Sequence, residues 1–364
     1  MDHLYALLDA NQTFALNGRG TTNHCPMALH ALHEMGARPR QLQRFFTHWQ
    51  TTQALPAGEN NQGEEEETRF VYLRQQLLAR FAEEGWLPCF EELLAQRFSP
   101  AGGAFHPLIR FACALENGHL GEQAAALAAW QCKALILPAG TGAPCRDVTR
   151  LLAGLAAHWE GSRWEGEWIT ARLRLVAADP RWPNALPQSL DNGEDVLAQL
   201  AEAALPLYWQ TGNFTVLHLV TGSRAAAIVA RHLPAALKAP WQSLMWQAVA
   251  AAYITVGAPR LQAQRWPDTT GLDWTQVLPR AIESLDDHVI KLVHCCWREQ
   301  ARSPHYLAIA ARAVGLLGAG AASPSSRAPH SAGGEPRRIL DQSQLPFRHS
   351  RWRRAIKNPG TGPG

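Results

Sequence analysis

The chain has 364 residues, 46% of them hydrophobic and 18% charged, which is enough apolar material for a sizeable core and the wrong balance for a disordered or fibrous protein. From Ser323 onward eight Lys/Arg face two acidic residues, a net +6 against +3 for the whole chain, so the rest carries −3 and offers no basic patch for nucleic acid or an anionic membrane. Seven cysteines without a C-x-x-C pair argue against a thiolate zinc site and a disulfide framework. The start, MDHLYALLDANQTF, does not read as a signal peptide, and the best apolar run, Ala248–Gly257, is too short for a membrane span; the expectation is a soluble, cytoplasmic protein.

The first informative element is NHCPMALHALHEMGA, residues 23–37. Asn23 can cap a helix here, Pro26 suits its first turn and Gly36 its end. At 100° per residue His24 shares a face with Met27, Ala28, Ala31 and Met35, while His30 and His33 turn away, His33 toward the surface. GENNQGEEEE, from Gly58, reads as a loop running into the acidic start of a helix, continued by apolar positions three and four apart over Arg69–Phe81. FHPLIRFACALE follows, with His106 at the helix start, Pro107 in its first turn, and Ile109 and Cys113 below the imidazole.

Alanine- and leucine-rich stretches at Ala124–Trp130, Ala153–Trp159 and Asp195–Leu205 favour helix. Alternation suited to a strand occurs only in RLRLV, Arg172–Val176, and the loops are marked by LPAGTGAP and DPRWPNALP. Further helices are predicted over Phe214–Val229, where His218 lies with Phe214, Thr215, Thr221 and Gly222, and over Asp286–Trp297, where His288 lies with Lys291, Leu292 and Cys295. The fold expected is all-α, a single multi-helix domain over residues 1–320 with more than ten helices. Residues 321–364, containing ASPSSRAPHSAGGEPRR, have the composition of a disordered basic tail.

Taken singly, each inward histidine reads as a half-buried core residue bonded to a carbonyl. Four of them from four helices match the way bundles assemble metal sites between facing helices. Lys291 is the unusual member: an ammonium on an apolar face is costly unless its head snorkels outward or pairs with Asp287.

The stretches NHCPMALHALHEMGA, FHPLIRFACALE, FTVLHLVTGSRAA and DDHVIKLVHCCWRE, in this order and each with its histidine, resemble the questin oxidase-like family of helical oxidoreductases. The resemblance implies a non-haem Fe(II) site held by His24, His106, His218 and His288 with a carboxylated Lys291, and oxidative ring opening of an anthraquinone-like substrate by Baeyer–Villiger-type or dioxygenase chemistry. A neutral lysine amine in an apolar site can capture carbon dioxide as a carbamate, an anionic oxygen donor compatible with iron. Glu116, Asp286 and Asp287 are candidates to orient the imidazoles, and Arg224 to bind a phenolate or carboxylate of the substrate if it is not in an ion pair. Dioxygen and a small aromatic molecule are the expected partners. No glycine-rich dinucleotide fingerprint follows a strand, although some family members are described as using NADPH. Two other readings are a metal-dependent hydrolase using a carbamylated lysine and a helical scaffold whose histidines are structural.

Overall fold

The computed structural model describes residues 1–11, 22–52, 64–145, 147–166, 168–190 and 195–317. The expected tail, residues 321–364, and the loop preceding Glu64 lie outside them. The described residues form sixteen α-helices and no strand: α1 (Asp2–Asn11), α2 (Cys25–Glu34), α3 (Pro39–Thr52), α4 (Glu64–Glu84), α5 (Leu87–Ala95), α6 (His106–Asn117), α7 (Leu120–Cys132), α8 (Val148–Trp159), α9 (Ile169–Ala178), α10 (Trp182–Ala185), α11 (Val196–Thr211), α12 (Phe214–His232), α13 (Ala235–Thr255), α14 (Trp274–Glu283), α15 (Asp287–Glu299) and α16 (His305–Ala313). The RLRLV stretch, read as the one strand-like segment, lies inside α9. Its alternation is overridden because Leu173 and Val176, three apart, bury on one helical face.

Four helices position the histidines. Helix α2 packs on α6, α6 on α12, α12 on α15 and α15 back on α2, closing a ring. Local chemistry sets where each helix begins. The Asn213 side chain accepts the Thr215 N–H, and Asp286 accepts those of His288 and Val289. At α2 the residue immediately before the helix is His24 rather than Asn23; the Asn23 side chain accepts the Cys25 N–H and donates to Asn11, tying α2 to α1. Gly36, with φ +87°, ends α2 as expected. Among the described residues, no helix is long and apolar enough to cross a membrane.

The approach to α6 carries a run of left-handed backbone that has no equal in length among the described residues. Gly103, Ala104 and Phe105 have φ of 57°, 57° and 66°, three consecutive left-handed residues, two of which carry a Cβ that disfavours the conformation by roughly 1–2 kcal/mol each. The compensation is positional: this turn delivers His106 and lays the Phe105 ring on Gly222 of α12, where an added Cβ would meet the ring at 3.1 Å. Gly222→Ala should therefore destabilise the protein by about 1–3 kcal/mol through overpacking and displace His106 from His218. Denaturant unfolding together with a crystal structure of the variant checks both; an unshifted midpoint would show that the Phe105 contact is slack.

Candidate metal centre

The four sequence-selected histidines come together, although they are up to 264 positions apart in the chain. The His24 ring stacks on His106 at 4.0 Å between centroids with 13° between planes. His218 lies edge-on to His106 at 4.5 Å, and His288 lies 5.1, 6.1 and 5.4 Å from His24, His106 and His218. All four are buried. One nitrogen each from His24, His106 and His288 fall within 4.8 Å of one another, close enough to share an ion, and His218 joins through a 3.0 Å contact between its Nε2 and that of His106.

Hydrogen bonds fix which ring nitrogen carries the proton. His106 Nδ1 lies 2.9 Å from the Gly103 carbonyl and His218 Nδ1 lies 2.8 Å from the Phe214 carbonyl. A carbonyl only accepts, so both Nδ1 atoms are N–H donors and both Nε2 atoms carry lone pairs in the neutral rings. Two lone pairs facing each other at 3.0 Å repel unless a proton or a cation lies between them. Burial pushes both imidazoles well below their ordinary pKa, with further repulsion from neighbouring cationic groups, which disfavours the proton. A separation of 3.0 Å is also that of two nitrogens on adjacent positions of one ion with bonds of about 2 Å. His288 Nε2 is buried and lacks a hydrogen-bond partner. The residues present fit a metal.

Asp287 organises the other side. Its Oδ2 accepts from His24 Nδ1 at 2.8 Å and lies 2.9 Å from Lys291 Nζ and 3.4 Å from His288 Nδ1. Lys291 thus pairs with Asp287 instead of snorkelling. Burial works to raise the Asp287 carboxyl, but His288, Lys291 and His24 outweigh it and hold it well below the ordinary range. His24 is pushed down to about 3, first by burial and then by Lys291, against the opposing pull of Asp287. Helix ends reinforce this. His24 precedes α2, His106 opens α6 and Asp287 is the first residue of α15, so three positive dipole ends converge here and favour the Asp287 carboxylate. Trp49 stacks near His24, and Phe214 covers His218 and His288 at 4.8 and 4.6 Å, making an apolar wall.

Of the residues expected to orient the imidazoles, Asp287 touches two of them and Asp286 caps α15, 3.9 Å from His288 Nδ1. Glu116 requires correction: it serves none of the four, because it is eleven residues into α6 and reaches His30 Nε2 at 3.2 Å and Arg224 at 2.7 Å. Arg224 is buried and ion-paired with Glu116, and it does not face a slot wide enough for a polycyclic ring. Two histidines escaped the sequence reading. His30, expected to turn away from the core, is 1% exposed because α2 is buried on nearly every side, and it meets His294 edge-on at 5.4 Å.

A family model described as Questin oxidase-like matches residues 180–296, while no curated protein and no solved structure matches the chain. His24 and His106 precede the matched residues; the remaining two histidines, with Asp287 and Lys291, lie within them. The matched residues, which carry His218, His288 and Lys291, are similar to the questin oxidase-like family, in agreement with the resemblance of the histidine-bearing stretches.

Proposed function

We propose that the protein is a non-haem iron-dependent oxygenase that opens the ring of an aromatic polyketide or quinone with dioxygen. The family match suggests an oxidoreductase acting on aromatic polyketides. The observation that carries the iron reading is the facing pair of His106 and His218 Nε2 lone pairs at 3.0 Å, each ring locked by a backbone carbonyl. His24, His106, His218 and His288 would hold the metal, with Lys291 beside them; bound iron with imidazole and oxygen donors supplies dioxygen binding and one-electron chemistry.

The chain's own residues do the rest. Asp287 fixes the His24 tautomer and neutralises Lys291. Phe214 and Trp49 exclude water from the rings, which strengthens every charge interaction inside. If both oxygen atoms enter the product, no external electrons are needed. A Baeyer–Villiger-type opening inserts one atom and reduces the other to water, which takes two electrons from a reductant such as NADPH.

Protein purified anaerobically should contain close to one iron per chain and consume oxygen with a hydroxyanthraquinone, and NADPH dependence separates the two chemistries. Folded protein that takes up no metal would sink the reading and favour a scaffold, and turnover without oxygen would favour the hydrolase.

A further inference from the structure

Two residues before His24, the Thr22 hydroxyl accepts a 2.8 Å hydrogen bond from Nη1 of Arg110, and Nε of the same guanidinium donates to Oε2 of Glu122 at 2.6 Å. All three residues are buried, at 0%, 3% and 1% exposure for Thr22, Arg110 and Glu122. Arg110 stands four residues after His106 on α6, so the two side chains are neighbours on one side of that helix. Helix α6 and the segment leading into α2 therefore meet twice. His106 stacks on His24, and one turn further along α6 Arg110 grips Thr22.

A buried ion pair is poor evidence of stabilisation, because desolvating both charges can cost as much as their attraction returns; its best-attested use is to fix register. Register is what this part of the fold otherwise lacks. Glu122 lies in the first turn of α7, where a carboxylate suits the dipole. The turns that follow, Ala124–Ala129, hold five alanines and Leu127, and they are buried between α4 and α6. Such small side chains make shallow ridges that define a neighbouring helix's position along the axis only weakly. A guanidinium suits the task because its donors form a rigid planar fork, one arm for Glu122 and one for Thr22; a lysine ammonium could pair with Glu122 but has no rigid second arm.

We propose that Arg110 is a positioning residue of the histidine centre: anchored on Glu122 and closed on Thr22, it sets the separation at which His24 faces His106, and through it their fit to one ion. The consequence for metal rests on the metal-binding reading above. The positioning itself is a property of the chain without metal.

Thr22→Val keeps the shape of the side chain and removes the acceptor, while Thr22→Ser keeps the hydroxyl. Metal-stripped wild type and both variants are titrated with Co(II), whose visible spectrum reports ligand geometry, and crystal structures of the metal-free proteins are compared. In the valine variant affinity should fall about 10-fold, the Co(II) bands should shift, and the His24–His106 ring separation should depart from 4.0 Å. The serine variant should match the wild type in all three. A valine variant that melts at a lower temperature but keeps the wild-type affinity, spectrum and ring separation overturns the proposal. Should it not fold, Arg110→Lys, which keeps a positive charge opposite Glu122, is read in the same way. Wild-type protein that takes up no Co(II) counts against the metal reading alone, because the ring separation in the metal-free variants still decides whether Arg110 positions His24.

Discussion

Asp287→Asn is expected to lower bound metal and stability together. One carboxylate oxygen serves the His24 N–H, the Lys291 ammonium and the near edge of His288. Removing its charge leaves a buried ammonium without a counter-ion, a change that typically destabilises by about 3–5 kcal/mol. Loss of a residue orienting a metal-binding imidazole typically weakens metal affinity about 10–100-fold. The two effects separate in a double variant. Asp287→Asn with Lys291→Met removes both charges, so stability should largely return while metal affinity stays low. Calorimetry and metal titration of the wild type, both single variants and the double variant give the comparison. A single Asn variant that melts and binds metal like the wild type would show that the carboxylate is not the organiser of the site.

The helices were legible because this sequence is periodic where it matters. Phe214–Val229 and Asp286–Trp297 extend by only a few residues in the structure, and the caps at Asn213 and Asp286 explain where they begin. The four histidines were legible for the same reason, each lying on the inward side of its helix. The pairings that depend on another helix were not. Glu116 looked like a partner for the upper histidines because it shares a helix with His106, yet its side chain lies nearly three turns away and reaches His30 instead. His30 itself was discounted by a rule that allows a helix one buried face, whereas α2 is enclosed by α1, α3, α6 and α15. A signal for the lower layer was present. His24 and His30 are six apart on α2, and His288 and His294 are six apart on α15. Two helices starting at the same site with equal spacing place their second histidines at the same depth, and the rings of His30 and His294 do meet.

Buried neutral imidazoles also set the protein's response to acid. His24 titrates at about 3 in the fold against 6.5 when exposed, and His106, His218 and His294 are likewise held well below 6.5, in each case chiefly by burial. Below pH 6.5 the unfolded chain therefore binds protons that the folded chain refuses. The stability these groups contribute is complete above pH 6.5 and drains away as pH falls toward the folded values, by up to about 1.4 kcal/mol per pH unit for each histidine. Four such groups act over one window, against a total stability of about 5–15 kcal/mol, so the metal-free protein should melt at a constant temperature above pH 7, fall steeply below 6.5 and unfold near pH 5. His294→Leu should remove one proton from that slope. A Tm unchanged down to pH 5 would mean that the rings are not neutral and buried. The stability that Asp287 and Glu116, depressed carboxylates, contribute is complete through this window and is lost only at lower pH, where unfolded carboxylates begin to protonate. Because the folded His24, His106 and His218 imidazoles are already deprotonated throughout this window, protons do not compete with a metal for them until the fold opens. Metal release and unfolding should then share one midpoint on the pH axis, whereas solvent-exposed histidines would release metal near pH 6.5 with the fold intact.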